Sequence, residues 1–409
     1  MSLHFGSLLW PGTYEGAASY PHLQARRGTR VAIIGGGISG LLCGYVLAKS
    51  GIDAVLIEKN KLASGSTSAN TGLLQYSNDT MLNEFADLIG EQAAVMFYKS
   101  CKRAAEHLHT VAERTRREVD FKRRSSLYYA SSPQDVPSLR KEYEMLRRYG
   151  FNAEWWEEDE IAKRFPFRRS AAIVTQDDAE VNPYLFAQAL AEEAVISGLK
   201  IYEHTEMLKI EPSSGGYRLL TPEGEIEAEQ VVYAVGYALE VAAGRWVKAE
   251  INRTYNIVTN PIPSLAGWHE RFLIWETARP YLYVRTTTDN RIIIGGLDEN
   301  IRQPVLSEQE LRKRSSRLLE KLNGLFPGLN PEIRYEWCAT FGGSKDGLPW
   351  IGEDPDRPGQ YYCLGYGGNG TIYSMLGAEI IRDRLLGIEN PIASIVRPDR
   401  AVASASVES

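Results

Sequence analysis

Three glycines, spaced Gly35-x-Gly37-x-x-Gly40, stand where a phosphate could bind. They follow the apolar run Val31-Ala32-Ile33-Ile34, which reads as a buried parallel strand. They open a segment with apolar positions at helical spacing, Leu41, Leu42, Tyr45 and Val46. In that setting each glycine has a task. Gly35 permits a tight turn, Gly37 lets a pyrophosphate approach the backbone, and Gly40 lets the helix pack close to the sheet. The helix start at Ile38 and Ser39 offers unpaired N–H groups and a partial positive charge. Gly51 stands where a helix C-cap belongs, and Ala54-Val55-Leu56-Ile57 is the next strand. That strand ends on Glu58, followed by Lys59. A carboxylate there can accept hydrogen bonds from a ribose and would repel a 2′-phosphate. The unit predicts a bound dinucleotide and leaves NAD or FAD undecided.

Two further segments point to flavin. The loop Ser66-Thr67-Ser68-Ala69-Asn70-Thr71-Gly72-Leu73 is dense in small hydroxyl residues. It can hydrogen-bond phosphate and ribityl oxygens while crowding little. Near the other end of the chain, Gly365-Tyr366-Gly367-Gly368-Asn369-Gly370-Thr371 opens the last helix. A helix start stripped of bulk can stabilise negative charge on the pyrimidine end of a reduced flavin. Two such starts, far apart in sequence, imply one long cofactor spanned by both.

The elements that position these segments follow from pattern. At 409 residues the chain is too long for one core, so two domains are expected. Residues 82–118 carry helical periodicity, 122–130 read as a strand, and 136–149 as a helix. Asn182-Pro183 starts another helix, running to Ile196. Segments 199–234 alternate as strands, and 250–260 and 281–297 read as strands of a different sheet. The second of these turns at Asp289-Asn290. Ser307 to Glu310 is a capping box before an amphipathic helix. A short strand at 360–364 precedes the last helix. Residues 1–29 read as an irregular arm, and the tail after Pro398 as unstructured.

Composition excludes other classes. The formal charge of −6 does not favour a nucleic-acid partner, and the basic runs Arg114–Arg117 and Lys122–Arg124 read as a solvated helix face. The four cysteines lie far apart, and the six histidines form no ligand cluster, so no metal is expected. No leader and no apolar run of spanning length is found, which suits a cytoplasmic, thiol-reducing setting.

Taken together, the turn at 35–40, the acid at 58, the loop at 66–72, Ala234-x-Gly236 and the C-terminal glycine segment resemble the D-amino-acid oxidase family. That family includes glycine, sarcosine and gamma-glutamylputrescine oxidases. Trp337 through Gly352 resembles its C-terminal block, and the likeness runs from about residue 30 to 386. The resemblance implies a mixed α/β fold. A Rossmann-like FAD-binding domain of glutathione-reductase type would be assembled from residues 30–82, 175–245 and 335–388. A substrate domain with an antiparallel sheet would come from 83–174 and 246–334, leaving 389–409 as tail. It implies FAD contacts at Met207, Ala234, Gly236 and Gly343 besides the segments above. It also implies oxidation of an amine or amino-acid C–N bond, by hydride transfer to flavin N5, giving an imine. Partners would be a small amine and either oxygen or an electron carrier.

This sequence departs from the family in places that bear on substrate. The arginine that clamps a substrate carboxylate in the family's amino-acid oxidases falls on Phe341, and a second basic residue falls on Gly368. The family position for covalent flavin attachment through cysteine falls on Ala339, one residue from Cys338, so non-covalent FAD is expected. A lysine that activates oxygen falls near Ile293, with Lys345 as a nearby substitute. Tyr281 matches a substrate-contacting tyrosine and Arg285 an arginine of unclear role. Strand alternation puts Tyr281, Tyr283 and Arg285 on one face. Tyr281, Arg285 and Phe341 are therefore the candidate substrate-side residues. A carrier-linked dehydrogenase, an NAD-dependent dehydrogenase sharing just the first unit, and a non-catalytic flavin-binding subunit stay open as alternatives.

Overall fold

The computed structural model describes residues 3–238, 241, 245–301 and 307–401. Most of the tail expected to be unstructured, 402–409, lies outside them. Two mixed sheets organise the chain. The first grows from the glycine turn's own strand. Arg26–Ile34 pairs in parallel with Ala54–Ile57 on one side and Glu225–Tyr233 on the other. Lys200–Tyr202 and Gln360–Leu364 extend it, again in parallel, and Trp350–Glu353 closes one edge antiparallel. Residues Val31 to Ile34 and the whole of Ala54–Ile57 are buried, as an all-apolar run with no alternation requires.

Helix Ile38–Lys49 packs between Pro183–Ile196 and Gly370–Leu386. The last contact is pinned by a bond of 2.7 Å between the hydroxyls of Ser39 and Ser374. Helix Pro183–Ile196 starts as expected, with the Asn182 side chain accepting the Leu185 N–H at 3.1 Å. Such a cap stabilises a helix by about 1 kcal/mol.

The second sheet is antiparallel except where Leu273–Glu276 runs parallel to Lys122–Tyr129. Its order includes Ile333–Gly343, Glu250–Thr259, Ile292–Glu299, Tyr283–Thr286, Leu273–Glu276, Lys122–Tyr129 and Ala171–Glu180. Most of Ile333–Gly343 and most of Ala171–Glu180 fall within segments that the sequence grouped with the nucleotide domain. Their backbones pair in the second sheet instead.

Two local expectations differ from the structure. The long helix is two, Leu82–Ile89 and Glu91–Arg114, broken at Gly90. Apolar periodicity runs through that break, whereas Gly90 adopts φ +87°, which no helix allows. The arm is partly regular, since His4–Gly6 pairs with Ile333–Gly343, a contact made by backbone and invisible to side-chain pattern. Residues 281–297 turn where expected, with strands Tyr283–Thr286 and Ile292–Glu299 joined through Asn290 at φ +62°. Among the described residues no helix is long and apolar enough to cross a membrane.

Candidate active site

The glycine turn forms one wall of a groove of about 910 Å³. Gly35 has φ +109°, and its N–H donates to the Ile57 carbonyl at 2.9 Å. A Cβ on Gly35 would lie 2.5 Å from the Ala234 carbonyl oxygen, and one on Gly40 would lie 1.9 Å from that of Gly35. Only hydrogen fits at either position. The Glu58 carboxylate accepts from Gly36 N–H and Asn60 N–H, both at 2.8 Å, which fixes it on the groove edge. Lys59, Met207, Ala234 and Gly236 line the same groove, as do Gly37, Ile38 and Ser39.

The hydroxyl loop closes this wall from above. Thr67 Oγ1 accepts the Ile38 N–H at 3.0 Å, so one helix-start donor is already paired. Ser68 turns inward and donates to the Ala63 carbonyl at 2.5 Å. Asn70 accepts the Gly72 N–H on its side chain at 2.6 Å and the Trp10 indole N–H on its carbonyl, also at 2.6 Å. Trp10, from the arm, thereby holds the loop. The C-terminal segment closes the far end, with Gly365, Gly370 and Thr371 lining the groove. Tyr366 is buried beneath, donating to the Gly236 carbonyl at 2.6 Å. Gly343 lines neither this groove nor its continuation.

The groove runs on into a cavity of about 140 Å³. Ser66, Asn70, Tyr237, Thr340 and Gly370 line both spaces. Trp275, Tyr281, Tyr283 and Phe341 give this cavity aromatic walls, with Asp79, Asp298, Thr254, Asn256, Gly367, Gly368 and Asn369 among the polar ones. Tyr281 donates to Asp79 Oδ1 at 2.9 Å, and Gly368 N–H donates to Asp79 Oδ2 at 2.8 Å. Tyr283 donates to Asn256 Oδ1 at 2.9 Å. Burial pushes the Tyr281 and Tyr283 phenols well up, and Tyr237 to about 12, so all three stay protonated donors near neutrality. Burial also raises Asp298 to about 6. The Thr254 hydroxyl bond opposes that rise, and the neighbouring Asp79 adds to it.

Tyr281 and Phe341 meet in this cavity, and Arg285 does not. Arg285 shares the strand face of Tyr281 and Tyr283 but lies further along, beneath the hydroxyl loop. It borders a separate cavity with Trp10 and Glu180. Its Nε donates to the Thr71 carbonyl at 2.7 Å, its Nη2 to the Val181 carbonyl at 3.0 Å, and its Nη1 lies 3.5 Å from Glu180. Those donors are committed to holding the loop, so the sequence's assignment of Arg285 to the substrate side is corrected to a supporting place. Ala339 faces the cavity, while Cys338 packs in the opposite core with Tyr255 and Ile257. Ile293 is buried elsewhere, and Lys345 is exposed, 4.0 Å from Glu250.

Sequence reasoning passed over Asp79, Trp275 and Asp298. For Asp298 the pattern misleads. Gly295 faces the cavity, because a Cβ on it would meet Asn256 Oδ1 at 2.2 Å and the Tyr283 ring at 2.3 Å. Regular alternation would then send residue 297 into the cavity. The pairing with Glu250–Thr259 instead shifts from Tyr255↔Gly296 to Arg253↔Glu299, one residue longer on the second strand. Gly296 and Leu297 take φ +142° and +57°. The bulge sends Leu297 to the core and turns Asp298 into the cavity.

A glycine-lined dinucleotide groove, opening into an aromatic cavity roofed by a second sheet, defines a flavoprotein oxidoreductase architecture. Residues 30–384 match the family model "DAO: FAD dependent oxidoreductase", and the chain belongs to that family. Its cofactor is FAD. Glycine oxidase of Geobacillus kaustophilus (strain HTA426) is 26% identical over 367 residues, covering 86% of this chain and 92% of that protein. Gamma-glutamylputrescine oxidoreductase of Escherichia coli (strain K12) is 22% identical over 371 residues, covering 87% and 83% respectively. The crystal structure of the Geobacillus kaustophilus glycine oxidase superposes with a TM-score of 0.79 at 23% identity, covering 92% of this chain and all 100% of that one. That likeness shows the fold.

The residues present fit the cofactor. Ser66 Oγ is buried without a hydrogen-bond partner on the wall shared by groove and cavity. An orphaned hydroxyl there is what a ligand's polar edge would complete.

Proposed function

We propose that the protein oxidises the carbon–nitrogen bond of a small amine, producing an imine that water hydrolyses. The observation that carries this reading is the continuity of the dinucleotide groove with the aromatic cavity through Ser66, Asn70, Tyr237, Thr340 and Gly370. Gly35, Gly37, Gly40, Glu58, Thr67 and Thr371 would hold the nucleotide part. Ser66, Asn70, Leu73 and the 367–370 turn would hold the ring end, without a covalent link. Bound FAD supplies the two-electron oxidant, and the protein supplies orientation, a dry cavity and electrostatics. Tyr281 and Tyr283 remain protonated, line the substrate space, and orient what enters it. Phe341 excludes water from one wall. The electrons then leave to oxygen or to a carrier.

Support comes from the family relatives named above, which are an oxidase of glycine and an oxidoreductase of gamma-glutamylputrescine. The test is anaerobic bleaching of the bound flavin by a panel of primary and secondary amines and amino acids. At least one amine should bleach it within the time of a stopped-flow or manual mixing experiment. A flavin that no amine reduces would mark a structural cofactor and end this reading.

A further inference from the structure

Two carboxylates line the ring-end cavity, and among the described residues its lining contains no lysine, arginine or histidine. Asp79 has both oxygens engaged, by Tyr281 and by Gly368. Asp298 differs. Its Oδ1 is buried with no hydrogen-bond partner. Trp275 is 5% exposed, and its indole N–H is likewise unpartnered. A buried polar atom left unpaired is costly and rare, and calls for something else to complete it.

The cation nearest these acids is already occupied. Arg279 donates to the carbonyls of Glu276, Thr277, Ala278 and Asp79, and it does not line the cavity. A substrate carboxylate entering here would meet two like charges and, among the side chains that line the cavity, no cation, with the Trp275 indole N–H as its one unpaired donor. An ammonium would meet an unpaired carboxylate oxygen and three lining aromatic rings, a residue type whose π-face attracts cations. The bulge at Gly296–Leu297 matters for the same reason: without it the strand would present Leu297 here and bury a carboxylate in an apolar core.

We infer that this cavity takes a cationic amine with no carboxylate on the reacting carbon, its ammonium held by Asp298 between Trp275, Tyr281 and Tyr283. This rests on the amine-oxidoreductase reading above and narrows it to a substrate class.

A matched pair of ligands tests it without turnover. tert-Butylamine and 2-aminoisobutyric acid differ by a methyl replaced with a carboxylate. Neither has a hydrogen on the carbon beside nitrogen, so neither can be oxidised. Binding to the FAD-loaded protein is followed by titration calorimetry and by the shift of the flavin spectrum. tert-Butylamine should bind at least about tenfold more tightly, and Asp298→Asn should weaken it by about ten- to a hundredfold, as expected for a hydrogen bond to a charged group. Equal or tighter binding of the acid overturns the inference. So does an Asp298→Asn protein that holds FAD and binds the amine unchanged, and so does failure of both ligands to bind. Should Asp298→Asn not fold, the preference of the unaltered protein decides alone. The two readings separate cleanly. Bleaching by amino acids in preference to plain amines removes this inference and keeps the oxidoreductase, whereas no bleaching by any amine removes both.

Discussion

Tyr281 donates its phenolic hydrogen to Asp79 at 2.9 Å, and the other oxygen of that carboxylate takes the Gly368 N–H at 2.8 Å. One acid thus ties the aromatic wall of the second sheet to the glycine turn that starts the last helix. Asp79→Ala leaves both donors without that acceptor and loosens the turn. FAD affinity and kcat/KM should both fall, by about ten- to a hundredfold for a lost pair of charge-assisted bonds. Tyr281→Phe removes one bond and keeps the turn. It should spare FAD affinity and alter amine KM. Titration of apoprotein with FAD and steady-state kinetics separate the two effects.

Gly40→Ala should give a folded protein that fails to retain FAD. Its new methyl would lie 1.9 Å from the Gly35 carbonyl oxygen, so the turn must open where the pyrophosphate binds. Gly12→Ala is the control, since a methyl there meets nothing within 4 Å. The visible absorbance of the purified proteins reads cofactor content, and far-ultraviolet circular dichroism reads the fold. A yellow Gly40→Ala protein would contradict the placement.

The first βαβ unit was legible because it is local: strand, turn, helix and acid lie within one short stretch, and each has its own sequence sign. Tyr281 and Phe341 were reachable by resemblance, and both line the cavity. Arg285 shows where alternation stops informing. It gives the face of a strand correctly, and says nothing of how far along that face the cavity ends. Asp298 shows the opposite failure, because one extra residue in a bulge reverses the parity on which the reading depends. The strand His4–Gly6 and the pairing of Ile333–Gly343 depend on long-range backbone contacts that leave no side-chain period.

His107 on helix Glu91–Arg114 pairs through Nδ1 with the buried Glu379 on helix Gly370–Leu386. The hydrogen bond to Glu379 raises the histidine above its usual range. A raised folded value means that the stabilisation is fully present below the unfolded histidine pKa and is lost as pH rises through the folded one. The His107 side chain is 47% exposed, so screening keeps the effect under about 1 kcal/mol. His107→Gln should therefore be less stable than the parent at mildly acidic pH and match it at alkaline pH. Urea midpoints at a series of pH values check this, and a gap that widens with rising pH would contradict it.

Asp298 should make the folded protein less stable while making it functional. Its folded value stands at about 6 against an ordinary 3.8, raised chiefly by burial. Between those values the folded state binds more protons than the unfolded one, so stability falls as pH rises through that window. The groups facing it are Thr254, Asp79 and Arg279, of which the second opposes its charge and the other two favour it. Above the window the full cost of ionising a largely buried acid is present, about 3 kcal/mol. Asp298→Asn removes the charge and keeps the shape. Its thermal midpoint should exceed that of the parent at pH near 7.5 and converge on it near pH 4, roughly the ordinary carboxylate range. In the unaltered protein, KM for a plain amine should fall as pH rises through about 6, where the acid ionises. An Asp298→Asn protein that is less stable at neutral pH would mean that the carboxylate is paired for structure, and the substrate role would fall with it.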